Sequence, residues 1–249
     1  MQAIILAAGR GSRLATATQG KPKCLVQVES ISLIEYQLTI LENFGITDVC
    51  VVLGYRAHEV YRLIGDRCHC AINRRYAETN SLYSLWLARN WIEGDCLIMN
   101  SDILAHPKIY QRLLKTSDNA LVYDSWSGTD REETKVILQQ GRLEQIDKNL
   151  SITDSQGESV GLLKFTKRGI KALLTETETA LALAGENQWI TAGIARLAQR
   201  KTIAAIDIAG LPWIEIDFPE DLQQARQNIW PLIAPDFFAS LPSKQYQVG

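Results

Sequence analysis

The sequence predicts a single α/β domain built on an open, largely parallel sheet, with a small antiparallel section in its second half. Three observations predict it. Runs of strand length that are apolar throughout recur in the first hundred residues, at "AIILAA" (3–8), "DVCVVLGY" (48–55) and "DCLIMNSD" (95–102), as in strands buried on both faces. Segments of helical spacing separate them. After Asp102 the pattern changes to short alternating stretches divided by turn formers, the signature of antiparallel pairing.

Taken in order, the first helix lies in "SLIEYQLTILENFG" (32–45), where Leu33, Ile34, Leu38 and Leu41 share a stripe and Gly45 is a stop signal. "AHEVYRLIG" (57–65) is the second. "TNSLYSLWLARNW" (79–91) is the third, capped by Thr79 or Asn80, with Leu82, Leu85 and Trp86 on one face. The alternating section comprises "NALVYDSW" (119–126), "ETKVILQQ" (133–140), "RLEQIDKN" (142–149) and "ESVGLLKF" (158–165). Helical spacing returns at 167–185 and 188–201, and "WIEIDFPEDLQQARQNIW" (213–230) reads as a strand running into a helix that starts at Pro219. The expected organisation is one domain over 1–249, with a first half (1–105), a second half (106–230) and a tail (231–249). The tail's three prolines suggest an extended arm, either a contact with a second copy in a homodimer or plain disorder.

Composition narrows the partners. A formal net charge of -2 leaves no global basic footprint, so nucleic acid is not an expected partner. No apolar run approaches the roughly 20 residues needed to cross a bilayer. The odd cysteine count (Cys24, Cys50, Cys68, Cys70, Cys96) and the lack of a secretory leader lead us to expect reduced thiols and a cytoplasmic protein. "RCHC" at 67–70 is a single C-x-C without a second ligand pair, weak grounds for zinc.

The chemistry begins where the first strand ends. Gly9-Arg10-Gly11-Ser12-Arg13, followed by Lys21-Pro22-Lys23, offers bare backbone amides and spaced cations directly after an apolar strand, a combination suited to a polyphosphate. Two common phosphate loops are excluded. A dinucleotide fingerprint needs a third glycine where Leu14 stands, and a P-loop needs a glycine and a hydroxyl where Ala15 and Pro22 stand. Asp102 ends an apolar strand, where open α/β sheets bind ligands, and a carboxylate facing a triphosphate calls for a cation between them. Mg²⁺ takes one or two carboxylates, so a second is expected. Asp217 is the candidate, with Glu215 on the same face; read locally, Asp217 serves equally well as a helix N-cap before Pro219.

"AIILAAGRGSRL" with "KPKCL" resembles the signature of the nucleotidyltransferase superfamily that makes nucleoside-diphosphate sugars and CDP-alcohols. "GITDVCVVLGY", "NSDIL" and "WIEIDFPEDL" extend the resemblance over nearly the whole chain. It implies a Rossmann-like mixed sheet of the nucleotide-diphospho-sugar transferase (GT-A-like) type. By this resemblance Leu6, Ala7, Ala8, Gly9, Gly11, Ser12 and Arg13 hold the incoming nucleotide, Lys23 lies between it and the acceptor phosphate, and Asp102 and Asp217 hold Mg²⁺. Arg13 and Lys23 are the implied catalytic pair. The family usually has Gly-Asp where this chain has Ser101-Asp102, a change that leaves the carboxylate in place.

"YAETNSLYSLWLAR" resembles the corresponding region of bacterial phosphocholine cytidylyltransferases more than that of sugar nucleotidyltransferases. It implies CTP as the nucleotide, with Asn80 and Ser81 beside the base; capping of the helix is the other reading of Thr79 and Asn80. On the acceptor side the resemblance brings Trp126, Trp189 and Trp213 to the second half of the cleft, where tryptophan faces attract quaternary ammonium groups. Glu133 and Glu186 are the candidates to neutralise an amine, and Lys135 to hold the acceptor phosphate of a small phosphocholine-like substrate. Three rivals share parts of this pattern: a sugar-1-phosphate nucleotidyltransferase, a metal-dependent glycosyltransferase and a non-catalytic nucleotide-binding module. The glycosyltransferase lacks the arginine-lysine loop, and the module has no need of Lys23 and paired aspartates.

Overall fold

The computed structural model describes residues 1–14, 18, 20–127, 130 and 132–241. Its centre is β1 (Gln2–Ala7), buried along its whole length because "QAIILA" has apolar side chains for both faces of the sheet. β1 pairs in parallel with β4 (Asp48–Leu53) on one side and β6 (Cys96–Asn100) on the other, and β4 pairs in parallel with β5 (His69–Ile72). Two short strands, β2 (Gln27–Val28) and β3 (Ile31–Ser32), form a separate hairpin. The connecting helices α1 (Leu33–Asn43), α2 (Ala57–Ile64) and α3 (Ser81–Leu87) fall where the helical spacing predicts them. α1 begins in a reciprocal cap, with Ser32 Oγ accepting from the Glu35 N–H and Glu35 accepting from the Ser32 N–H.

Beyond β6 the chain makes β7 (Ile103–Ala105), α4 (Pro107–Leu114), β8 (Ala120–Asp124), β9 (Lys135–Gln139), β10 (Arg142–Asp147) and β11 (Gly157–Phe165). There follow α5 (Lys167–Ala184), α6 (Ile190–Ala198), β12 (Ala204–Asp207), β13 (Trp213–Glu215), α7 (Pro219–Gln224) and α8 (Trp230–Ala239). Among the described residues the main sheet has nine strands in the order β5-β4-β1-β6-β11-β8-β12-β10-β9, and β13 pairs with β7 in a small second sheet. The mixed α/β class with an antiparallel section is therefore as predicted.

Three details differ from the sequence reading. β11 is a central strand, antiparallel to both β6 and β8 and buried nearly throughout, so it joins the two halves of the sheet. β12 has no counterpart in the sequence reading; four half-buried residues with one aspartate give little signal, and only its parallel pairing with β8 makes it a strand. The expected extended arm is, up to Ala239, the helix α8. Its buried stripe of Trp230, Ile233 and Phe237 packs on Tyr36 of α1, with ring centroids 6.0 Å and 4.8 Å away, and this packing outweighs the cost of Pro235 inside the helix. Residues 242–249 of the predicted arm lie outside the described residues, as do 15–17 and 19 of the basic loop.

The core divides along the sheet. Ala3, Ile5 and Ala7 of β1 face α1, α2, α4 and α8, while Ile4 and Leu6 face α3, α5 and α6, as the two-residue period requires. No helix among the described residues is long and apolar enough to cross a membrane.

Candidate active site

The loop after β1 turns at Gly11, which has φ +60°, a conformation that glycine adopts without strain. A Cβ at Gly11 would stand 3.0 Å from the Lys23 Cβ, so the glycine also lets the lysine stem lie against the loop. From there Lys23 reaches into a cleft of about 390 Å³. Its Nζ donates to Asp102 Oδ2 at 2.7 Å and to Asp217 Oδ1. Arg13 Nη2 donates to the other oxygen of Asp217 at 2.6 Å, and its guanidinium lies 4.8 Å from the Phe218 ring centroid. A third contact, from Arg13 Nη1 to Glu132 at 3.4 Å, is solvent-exposed and weak.

Asp102 occupies the turn between β6 and β7, and Asp217 follows β13. Pairing of Glu215 with Ile103 across β13 and β7, and the Ile216 N–H donated to the Asp102 carbonyl at 3.0 Å, bring the two acidic segments together. Asp102, Glu215 and Asp217 each present an oxygen within 4.8 Å of the others. The open choice over Asp217 is resolved against capping. Phe218 stands at the N-cap, and Asp221 in the first turn reaches back, its Oδ2 accepting from the N–H groups of Asp217 at 2.8 Å and Phe218 at 2.7 Å.

Burial pulls the Lys23 ammonium down, but Asp102, Asp217 and Glu215 together push it above the ordinary lysine range, so it is a permanent cation. Burial first, and the Asp102 charge second, push the Glu215 carboxyl above the usual carboxylate range. Asp102 Oδ1 is buried and accepts no hydrogen bond among the described residues. An unpartnered buried carboxylate oxygen beside two further carboxylates is a donor set that suits a hard oxygen-seeking cation such as Mg²⁺.

Every nucleotide-side residue named from the sequence, from Leu6 to Ser101, lines this cleft together with Asp102 and Asp217. Asn80 and Ser81 do so while their side-chain oxygens are engaged in local structure. Asn80 Oδ1 caps α3 by accepting from the Ser81 N–H at 2.9 Å, and Ser81 Oγ accepts from the Ile190 N–H at 2.8 Å, tying α3 to α6. The Asn80 amide nitrogen has only a long 3.4 Å contact to Asn187.

On the acceptor side only Trp189 lines the cleft. Trp126 is 77% exposed and lies against Gly210. Trp213 donates its indole N–H to Asp124 Oδ2 at 2.8 Å. Glu133 accepts from Ser127 Oγ at 3.0 Å and from the Asp130 N–H at 2.8 Å, and Glu186 pairs with Arg75 at 2.5 Å. Lys135 is 1% exposed and donates to the carbonyls of Glu133 at 3.1 Å and Lys148 at 2.8 Å, so it braces the wall and does not face the cleft. Unlike Trp189, these five residues of the expected acceptor site do not line the cleft: alternation along a strand tells which residues share a face, not which face meets a cleft built from other strands. The cation that does line the wall is Lys148, its Nζ 5.4 Å from the Trp189 ring centroid. Asn100, Ser159 and Thr191 line the cleft as well. Sequence reasoning missed all four, and only for Asn100, beside Ser101, was there a signal to follow.

Residues 3–160 match the family described as MobA-like NTP transferase domain. The chain is 28% identical over 249 aligned residues to the CTP:phosphoglutamine cytidylyltransferase of Campylobacter jejuni, covering 90% of this chain and 98% of that one. It is 32% identical over 149 residues to the choline-phosphate cytidylyltransferase of Haemophilus influenzae, covering 59% of this chain and 62% of that one. The solved inositol-1-phosphate CTP transferase from T. maritima superposes with a TM-score of 0.79 over 97% of each chain at 21% identity, a likeness of fold. With the glycine loop, Lys23 and Asp102 all inside the matched residues, the chain belongs to the MobA-like NTP transferase family and is a nucleotidyltransferase.

Proposed function

We propose that the protein is a Mg²⁺-dependent cytidylyltransferase that joins CTP to a small phosphorylated alcohol or phosphonate and releases pyrophosphate. The observation that carries this reading is the Lys23 ammonium, mounted against the glycine loop and held between Asp102 and Asp217 in the cleft. An acceptor phosphate oxygen attacks the α-phosphorus of CTP in line. The bond from that phosphorus to the bridging oxygen breaks, and pyrophosphate leaves with the electron pair. The nucleophile is already ionised near neutral pH, so no general base is required, and catalysis is positioning plus charge neutralisation.

In this scheme Arg13 and the loop amides hold the β and γ phosphates, and Lys23 bridges the α-phosphate and the attacking oxygen. Nucleotide entry exchanges carboxylate partners of these cations for phosphate oxygens. Asp102, Asp217 and Glu215 would hold Mg²⁺, which when bound neutralises charge on the phosphate oxygens. Lys148 takes the acceptor-phosphate role assigned from the sequence to Lys135. With Glu133 and Glu186 engaged away from the cleft, only Trp189 remains of the residues expected to attract a cationic acceptor, and Lys148 lies near its face. Cytidine as the base draws its support from the relatives' activities and from the stretch around Asn80.

A pyrophosphate-release panel tests the reading, crossing the four nucleoside triphosphates with phosphocholine, an aminoalkylphosphonate, a phosphorylated amide and sugar 1-phosphates, with Mg²⁺ or with EDTA. Release is expected with CTP and a non-sugar acceptor, and is abolished by EDTA. Turnover confined to sugar phosphates would replace this reading by that of a sugar-1-phosphate nucleotidyltransferase, which shares the loop and the acidic trio.

A further inference from the structure

Gln37 lies on α1, directly beneath the turn that carries Asp102. Its side chain is fully buried, and its Nε2 donates to two carbonyls, Asn100 at 2.9 Å and Ile103 at 3.0 Å. Asn100 ends β6 and Ile103 begins β7, so a single amide bridges the two ends of the Ser101-Asp102 turn. Carbonyl oxygens only accept, which fixes the amide with its NH₂ toward the turn and its oxygen away from it. That oxygen, Gln37 Oε1, is buried without a hydrogen-bond partner among the described residues. Methionine would fill a similar volume with no orphaned oxygen. What glutamine supplies and methionine lacks is the two-pronged grip on the turn.

The turn has a second fastening on its other side. The Asp102 carbonyl accepts the Ile216 N–H at 3.0 Å, which ties it to the segment bearing Glu215 and Asp217. The two ends of the Ser101-Asp102 turn are thus held from α1 and the Asp102 carbonyl from the segment of its partner acids, while Asp102 Oδ1 has no partner among the described residues. Next to Gln37, Tyr36 donates its hydroxyl to the Ala105 carbonyl at 2.7 Å, gripping β7 beyond the turn.

We propose that Gln37 is a positioning residue that sets the aim of the Asp102 carboxylate toward the divalent cation, an inference that rests on the metal reading of Asp102, Glu215 and Asp217. Gln37 touches neither the cation nor the nucleotide. It acts through the backbone, as groups one step behind metal ligands do, and their loss typically weakens metal affinity or activity by about 10- to 100-fold.

The test compares Gln37→Met, which removes both donors, and Gln37→Glu, which keeps the shape but not the paired N–H groups, with Tyr36→Phe as the matched loss of a buried bond to β7. Binding of Mn²⁺ to the full-length protein is followed by the paramagnetic resonance of the free ion, and Mg²⁺ half-saturation by pyrophosphate release. Both Gln37 variants should show metal affinity weakened by about tenfold or more. Their KM for CTP at saturating metal should stay within about twofold of wild type. Tyr36→Phe should keep wild-type metal affinity, whatever thermal stability it loses. A folded Gln37 variant with wild-type metal affinity overturns the proposal, and so does an equal weakening in Tyr36→Phe. Wild-type protein that binds no Mn²⁺ and turns over in EDTA overturns the metal reading itself, a result distinct from either.

Discussion

Lys23 is the residue on which the chemistry turns. It is surrounded by three carboxylates, so its charge is assured, and a permanent cation cannot serve as an acid or base. Its contribution is electrostatic, and removing such a preorganised donor typically lowers kcat by about 100- to 1000-fold. Lys23→Met is therefore expected to lose turnover on that scale in a pyrophosphate-release assay, with a smaller change in KM for CTP. The same variant leaves Asp102, Asp217 and Glu215 facing one another with only Arg13, on the outer oxygen of Asp217, as a counter-charge. Its melting temperature in EDTA should fall, and Mg²⁺ should raise it by more than in wild type; an equal Mg²⁺ shift in the two proteins would argue against a shared site.

Among the elements, α3 and its cap face both ways. Asn80 closes the helix through its oxygen and presents its amide nitrogen in the cleft with only a long contact to Asn187. Asn80→Asp keeps the capping oxygen and loses the N–H donor. Stability should stay within about 0.5 kcal/mol of wild type, whereas Asn80→Ala costs about 1 kcal/mol. If the nitrogen reads the base, the aspartate variant raises KM for CTP by about threefold to tenfold, the worth of one hydrogen bond. An unchanged KM would leave Asn80 as a cap alone. β11 is the element whose place within the sheet the sequence reading left open, because a strand's neighbours are chosen by the rest of the sheet and not by its own alternation. Its bulge places Gly161 at φ +74°, where a Cβ would come within 2.7 Å of the Asn100 amide, so the strand gives way to a cleft residue.

At the scale of the whole molecule, the corner where β8, β9 and β11 meet makes stability depend on pH. Glu158 pairs in register with Asp124 on one side and Lys135 on the other, and its Oε2 accepts from Ser127 Oγ at 2.6 Å. Burial first, with Glu133 and Asp124 adding to it against the Ser127 bond, pushes its carboxyl from an ordinary 4.5 up to about 8. Between those two values the folded protein keeps a proton that the unfolded chain has released. The unfolded state thus binds fewer protons, and stability falls as pH climbs through this window. Glu158→Gln removes the share that this carboxyl contributes: the loss of stability from pH 5 to pH 8, read from urea midpoints, should be smaller in the variant than in wild type. Equal losses would place the titrating group elsewhere.

Read locally, the sequence left Asp217 between capping and metal binding, but by itself it determined the parallel half of the sheet, its three connecting helices, the glycine loop with Arg13 and Lys23, and Asp102. Each of these is written locally: an apolar run, a 3.6-residue period, a glycine between cations, an acid at a strand's end. Tertiary structure alone decided that β11 is central, that β12 exists, that Pro231 and Pro235 lie in a helix, and that Lys148 and not Lys135 lines the cleft. These depend on which strands become neighbours and which face of each meets the cleft, and such choices are made by long-range packing, where a shift of one residue in register sends a side chain to the opposite side.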